Sequence, residues 1–287
     1  MEAVIKLSSP DTREFWAIPI RYEDDHLLAL DKPAGLLLFP ARAEPARPSL
    51  MPLLRRDLER GAPWVRPRQL IYLANAHRLD FETTGVLLLA KDKPTLAALA
   101  NQFGSQQPLR SYLALVQGAP EADTFTVEAK LAPHPVKSGL MRVDAHQGKP
   151  ALTRFQVLER FAGYACLQAQ PLTDRPHQIR VHLQYLRLPV VGDLCYGGKP
   201  LRLSHLKPTY RLKPGHHERP LLNRVALHAE RLGLVHPVTG AALEIVAPWP
   251  KDLAVAIKYL RLFALNPPVP TTDMERACDV RLKGVQQ

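Results

Sequence analysis

The pattern of apolar and polar positions along the chain predicts a series of short β-strands. Residues 86–90 are apolar without interruption, and the predicted strand around them extends over 84–91. Residues 110–117 form a second predicted strand, in which Tyr112 shares one face with Ala114 and Val116. Alternating runs predict further strands at 153–158, 164–170, 225–234 and 243–247.

Helical patterns are fewer and lie between these strands. Residues 94–103 have the pattern of a short helix that begins near Asp92, and residues 253–265 that of a final helix. Short turns join successive strands and no strand–helix–strand repeat occurs, so neighbouring strands are expected to pair mostly antiparallel. The predicted fold class is therefore α+β, with a mixed, largely antiparallel sheet and flanking helices.

The segment 177–186 is predicted to be a helix with an anion-binding end. Apolar side chains recur along it at three- and four-residue steps. Asp174 is the predicted cap, and Pro176 is tolerated in a first helical turn. Arg180 would then project from near the amino-terminal end, which favours anions.

The composition is typical of a folded cytoplasmic protein. Hydrophobic residues make up 46% of the 287 residues, which supplies an ample core. The three cysteines are widely separated, so we expect reduced thiols, and no clustered Cys/His set suggests a metal. No glycine-rich phosphate loop points to a nucleotide cofactor, so none is expected. No apolar run has the length of a signal peptide or membrane span, and no membrane association is expected.

The charge distribution favours a polyanionic partner. The formal net charge is +11, and seven arginines lie within residues 42–68. Residues 199–224 carry seven Lys/Arg side chains and four prolines, with Glu218 as the only acid. This second stretch is predicted to be an extended loop that presents cations to a polyanionic partner, although a solvated connection has the same composition.

Residues 76–85, Ala-His-Arg-Leu-Asp-Phe-Glu-Thr-Thr-Gly, contain the most informative acid of the chain, Asp80. This aspartate lies between a polar turn and a predicted buried strand, where a carboxylate can be desolvated and oriented as a nucleophile or base. The alternative is an ordinary loop ion pair between Arg78 and Asp80, with Thr83 and Thr84 closing a turn.

Five sequence blocks together resemble the RluA-type pseudouridine synthase family, in the same order and at similar spacing. The likeness runs from about Tyr22 to about Asp252 and covers most of the chain. The blocks are Asp-Lys-Pro-Ala-Gly at 31–35, the segment 76–85, Arg-Ser-Tyr-Leu-Ala-Leu-Val-Gln-Gly at 110–118, Thr-Asp-Arg-Pro-His-Gln-Ile-Arg-Val-His-Leu at 173–183, and Leu-His-Ala at 227–229.

This resemblance implies an RNA pseudouridine synthase that isomerises a specific uridine in ribosomal or transfer RNA without a metal or cofactor. Asp80 would be the nucleophile, acting on uracil C6 or ribose C1′. Arg180 would pair with Asp80 through a two-pronged contact, and Tyr112 would stack on the uracil or assist removal of the C5 proton.

The same blocks hold basic side chains that the resemblance assigns to substrate binding. Arg78 would fill the space left by the flipped base or clamp a phosphate. The others in this set are His77, Arg110, Arg175 and His177.

The resemblance also implies the domain organisation. Residues 22–265 would be the catalytic domain, residues 1–21 an amino-terminal extension and residues 266–287 a loosely attached tail. The extension is too short for the small basic RNA-binding domain that some members carry there. Target recognition would then rest on the catalytic domain of a monomer without an obligate protein partner.

Two departures from the family pattern leave rival functions open. Glu82 and Thr84 stand where members commonly have aspartate and serine, a change that keeps the charge and the hydroxyl. Asp174 stands where members commonly have glycine, so altered RNA docking or like-charge repulsion on Asp80 is expected. A silent RNA-binding or RNA-folding protein on the same scaffold is the main alternative. A glycosidase-like hydrolase is a weaker one, because it needs a second paired acid.

Overall fold

The computed structural model of the chain describes residues 3–41, 44–106, 108–212 and 215–265. Within these residues the chain forms one twelve-stranded sheet with helices packed around it. The strands are β1 (Val4–Ser8), β2 (Phe15–Glu23), β3 (Leu27–Lys32), β4 (Ala74–Asn75), β5 (Thr84–Ala90), β6 (Leu109–Gln117), β7 (Thr124–Pro133), β8 (Met141–Val143), β9 (Lys149–Phe161), β10 (Tyr164–Pro171), β11 (Leu227–Val235) and β12 (Ala242–Val246). The helices are α1 (Leu50–Glu59), α2 (Lys93–Asn101), α3 (Gln178–Tyr185), α4 (Leu203–Leu206) and α5 (Lys251–Phe263).

The sheet is mixed and largely antiparallel, which confirms the predicted fold class. Its strand order is β1-β2-β3-β5-β11-β6-β10-β9-β7-β8, with β4 paired to β5 and β12 to β11. Among the described strands, β5 and β11 form the single parallel pair. Because β11 also pairs with β6, the start of β5 and the middle of β6 lie at neighbouring places in the sheet. The loop before β5 is thereby brought to Tyr112.

The predicted strands and helices are found with small shifts of their ends. Helix α2 begins after Asp92, whose Oδ1 accepts a hydrogen bond from Thr95 N at 2.7 Å, so the predicted start is confirmed. A π-helical turn, Gln102–Gln106, follows it. The segment expected as an amino-terminal extension contributes β1 and most of β2, and β2 pairs with β3. The predicted tail, 266–287, lies outside the described residues.

The cap predicted for the helix at 177–186 is wrong. Helix α3 begins at Gln178, and His177 occupies the capping position with a left-handed backbone (φ 54°) and no side-chain cap. Instead, the side-chain Oε1 of Gln178 accepts a hydrogen bond from Arg175 N at 3.1 Å. Pro176 therefore precedes the helix, because the chain turns sharply at His177 before the first helical residue.

Apolar side chains cover both faces of the central strands. One core cluster joins β6, β9 and β10 to α3 and α5, and a second joins β1, β3 and β5 to α1. Tyr112 is partly buried and packs against both clusters.

No helix in the described part of the chain is long and apolar enough to span a membrane.

Gly85 permits the close approach of β5 to β11. Its φ is +111°, and a Cβ there would lie 2.1 Å from the carbonyl oxygen of Ala229. We expect Gly85→Ala to lower the free energy of unfolding by more than about 3 kcal/mol, because backbone must move to relieve the overlap. Chemical denaturation measures this change. Gly240→Ala is the control, since Gly240 has a φ of +72° with open space around it. Equal losses in the two variants would contradict the packing argument.

Candidate active site

A cavity of about 250 Å³ opens where the loop between β4 and β5 faces the start of α3. This cavity gathers all but one of the residues predicted from the sequence to form the site, although they come from three separate sequence blocks. Those that line it are Arg78, Asp80, Arg110, Tyr112, Arg175, His177 and Arg180. The structure thus brings the blocks to one place, while the roles of the individual residues stay predictions.

Asp80 and Arg180 form an ion pair at the cavity. Arg180 Nη1 lies 3.1 Å from Asp80 Oδ2, and the exposed fractions of the two side chains are 7% and 18%. Such a partly dehydrated pair holds its geometry better than a surface pair does. The ordinary loop ion pair considered from sequence is not formed, since Asp80 pairs with an arginine 100 positions away rather than with Arg78.

The two-pronged contact of Arg180 goes to a different acid, Asp193. Arg180 Nε and Nη2 donate to the two Asp193 oxygens at 2.6 and 2.9 Å, whereas Asp80 receives one hydrogen bond. The expected fork onto Asp80 is therefore wrong. The physical reason is burial: Asp193 is fully buried, and its carboxylate needs both contacts to replace lost water.

Sequence reasoning did not identify Asp193. The signal that could have revealed it is an acid at a turn next to an apolar run, here Pro189–Val191 followed by Gly192; Asp80 likewise lies at a turn, before the apolar run 86–90. Burial lowers the pKa of Arg180, but the charges of Asp193 and Asp80 on either side of its guanidinium raise it, and the net shift is upward. The guanidinium is thus permanently charged.

Lys32 binds the backbone of the loop that carries Asp80. The Nζ of this fully buried lysine donates to the carbonyl oxygens of Pro33, Phe81 and Thr83 at 2.9, 3.1 and 3.0 Å. Burial lowers the pKa of Lys32 to about 7, and the charge of Asp80 acts against that shift. Gly35 N also donates to Phe81 O, so the backbone beside Asp80 is fixed at several points.

Tyr112 presents its ring to the cavity from β6. Burial raises its pKa to about 12, and the charges of Asp174 and Asp80 act in the same direction against that of Arg110. The phenol is therefore neutral at neutral pH and a weak proton acceptor. Its position fits a stacking surface for a base better than it fits proton removal.

Arg110 and Asp174 interact with each other rather than facing the cavity independently. Arg110 is buried, and its Nη2 donates to the carbonyl oxygens of Pro171 and Thr173 at 3.4 and 3.2 Å. Its Nη1 lies 3.3 Å from Asp174 Oδ2, and the Asp174 side chain is 64% exposed. The acid that departs from the family pattern thus has a cationic partner of its own.

The remaining predicted side chains differ in their surroundings. The Arg78 side chain is exposed and forms no ion pair with the residues that the structure describes. Arg175 Nε donates to Pro150 O at 3.0 Å at the rim. His77 lines an adjoining cleft, and its Nε2 accepts from Leu88 N at 3.1 Å. Burial lowers the pKa of His77 to about 4, so a role in fixing the loop fits its environment better than substrate contact.

The basic stretch 199–224 is less extended than predicted. It contains the short helix α4, and a bridge joins Leu201 to Leu222. Arg224 is tied to Asp252 by hydrogen bonds of 2.7 and 2.8 Å, so it is not a free cation.

Among the residues that the structure describes, no group of three or more His, Cys, Asp or Glu side chains is placed to hold a metal ion.

The family model for RNA pseudouridylate synthase matches residues 26–185 of the chain. Ribosomal large subunit pseudouridine synthase D of Xylella fastidiosa is 37% identical over 245 residues, which cover 85% of this chain and 70% of that protein. Ribosomal large subunit pseudouridine synthase C of Escherichia coli is 35% identical over 244 residues, which cover 84% and 70%.

Solved structures share the fold. Human RNA pseudouridylate synthase domain containing 4 superposes with a TM-score of 0.63 at 24% identity, covering 86% of this chain and 94% of that one. Human RNA pseudouridylate synthase domain containing 1 gives a TM-score of 0.61 at 23% identity, covering 91% and 94%.

Proposed function

Because this chain belongs to the RNA pseudouridylate synthase family, as its sequence blocks predicted, we propose that it isomerises a uridine of ribosomal RNA to pseudouridine. The observation that carries this proposal is the Asp80–Arg180 ion pair beside Tyr112 in one cavity. The names of both relatives refer to the large ribosomal subunit, which supports ribosomal RNA rather than transfer RNA as the substrate. We also propose that the reaction takes place in the cytoplasm and that the protein is a monomer.

In the proposed reaction the target uridine leaves its stack and enters the cavity. The base would stack on Tyr112, and Arg78 would occupy the space left in the RNA or bind a phosphate. Arg180 would keep Asp80 ionised and aimed at the base or ribose. The N1–C1′ bond breaks, the uracil turns and the C5–C1′ bond forms. The bond that Asp80 made is broken again, C5 loses its proton and N1 takes one up, so that nothing is consumed.

Two observations weigh against the rival functions. The Arg110–Asp174 contact gives the unusual acid a cationic partner, which weakens the argument for a silent RNA-binding protein. A hydrolase would use a second acid beside Asp80. Asp193 is fully buried with both of its oxygens bound to Arg180, and Asp174 is paired with Arg110.

The direct test of the proposed function is a map of pseudouridine in ribosomal RNA. We expect at least one site to be lost from cells that lack the gene, and purified protein to restore it on unmodified RNA. Identical maps with and without the gene, together with no conversion in vitro, would refute the proposal.

RNA contact by the basic stretch is tested separately through salt dependence. We expect replacement of Arg202, Lys207, Arg211 and Lys213 by glutamine to reduce the slope of log affinity against log salt by about 0.7 to 0.9 for each contact removed. Lys213 lies outside the described residues. The affinity should fall for structured and unstructured RNA alike.

The control for this series replaces two surface arginines that already have acidic partners. Arg231 pairs with Glu244 and Arg261 with Glu159, so their replacement by glutamine should leave the slope unchanged. A wild-type slope in the fourfold variant would show that this stretch faces solvent, and the arginines of 42–68 would become the better candidates.

A further inference from the structure

Tyr196 contacts two residues of the candidate active site, Arg180 and His177, and no sequence pattern pointed to it. The residue ends a short 3₁₀ turn, Leu194–Tyr196, and is 3% exposed. The guanidinium of Arg180 lies over its ring at 4.9 Å from the centroid. The ring of His177 meets it edge-on, with centroids 5.7 Å apart.

The hydroxyl of Tyr196 has two hydrogen-bond partners with different chemical properties. The backbone amide of Met141 donates to it at 2.9 Å, and an amide N–H has only a hydrogen to give. The hydroxyl therefore accepts from Met141, and its own hydrogen is free for His177 Nδ1 at 2.8 Å. In this arrangement Nδ1 is an acceptor, and the ring proton resides on Nε2.

His177 Nε2 faces the catalytic cavity without a partner among the described residues. It lies 3.9 Å from Asp80 Oδ2, which is beyond hydrogen-bond range. Burial lowers the pKa of His177; Arg180 and Arg78 act in the same direction, against Asp80 and Asp193. The ring is therefore neutral, with one N–H, and that N–H points to the place where a substrate atom engaged by Asp80 would lie.

We propose that Tyr196 holds His177 as the Nε2–H tautomer and that this N–H donates a hydrogen bond to a carbonyl oxygen of the flipped uracil. The inference rests on the proposed function and extends it by naming a donor and the residue that orients it. Attack at ribose C1′ and attack at uracil C6 both push negative charge onto the uracil carbonyl oxygens. A fixed donor beside Asp80 stabilises that charge on either route.

The tautomer is measured directly by ¹⁵N NMR of the histidine rings. We expect His177 to show a protonated Nε2 in the wild-type protein without RNA, and a mixture of tautomers in Tyr196→Phe. Tyr164→Phe is the matched control, because Tyr164 lies at the opposite end of β10 from the cavity. A wild-type His177 protonated on Nδ1, or a spectrum unchanged by Tyr196→Phe, would overturn the assignment.

The donor role is measured by single-turnover rates at saturating enzyme. Glutamine places its amide nitrogen about where Nε2 lies, whereas asparagine reaches only to Nδ1. We expect His177→Asn to reduce the rate about 100-fold, the effect of losing one positioned donor, and His177→Gln to recover most of it. Asparagine tolerates the left-handed backbone at this position, so a folding defect should not imitate the effect. Equal rates in the two variants would contradict the donor role.

RNAs with sulfur in place of O2 or of O4 test which partner receives the hydrogen bond. Sulfur is the weaker acceptor, so the penalty of His177→Asn should shrink for one of the two RNAs. Equal penalties for all three RNAs would exclude a uracil carbonyl. Failure of the proposed function has a different signature, namely no pseudouridine from the wild-type protein whatever tautomer is observed.

Discussion

Asp80→Asn should abolish pseudouridine formation while RNA affinity stays close to that of the wild-type protein. The amide keeps the shape of the carboxylate but has no anionic oxygen to act as a nucleophile, so we expect a loss of at least about 1,000-fold in turnover. Tritium release from RNA labelled at uridine C5 measures turnover, and a binding titration measures affinity.

The control for this prediction is Asp174→Asn, an acid that lines the same cavity but is 64% exposed and paired with Arg110. It should retain turnover, since its charge is not required in the proposed reaction. Full activity in Asp80→Asn would remove Asp80 from the role of nucleophile. Loss of binding in that variant would mean that its charge acts on RNA docking instead.

Arg180→Lys is expected to reduce the single-turnover rate about 100-fold with a much smaller effect on RNA binding. Lysine keeps the positive charge, but it cannot hold both oxygens of Asp193 and still reach Asp80, so the nucleophile loses its orientation. Rates at saturating enzyme separate this effect from affinity.

Stability must be separated from orientation in this variant. Arg180→Lys leaves Asp193 buried with incomplete partners, which should also lower the thermal stability. Adding Asp193→Asn removes the buried charge, so the double variant should regain stability without regaining the rate. Arg261→Lys is the control, because Arg261 Nε and Nη2 donate to the two oxygens of Glu159 on the surface. If the double variant had the wild-type rate, Arg180 would contribute to stability but not to the orientation of Asp80.

Local patterns predicted the strands β5, β6, β9, β10, β11 and β12 and the helices α2, α3 and α5, whereas the other six of the twelve described strands were not predicted. Strands β5 and β6 are apolar over most of their length, so their pattern was clear. Helix α1 was not predicted: it lies in the arginine-rich stretch 42–68, which was interpreted only for its charge, although it buries Leu50, Met51, Leu53 and Leu54. Strand β1 was also not predicted, although exposed and buried positions alternate along its five residues.

The sequence by itself determined the family, the fold class and the position of Asp80 and Arg180, because these depend on local spacing and on blocks of adjacent residues. The tertiary structure alone decided how the charges are partnered. Arg180 and Asp193 meet through a turn, Lys32 reaches the backbone of the Asp80 loop through the pairing of β3 with β5, and Tyr196 reaches Met141 across 55 positions. A buried charge takes the nearest partner that replaces its lost water, and only the folded chain establishes which group that is.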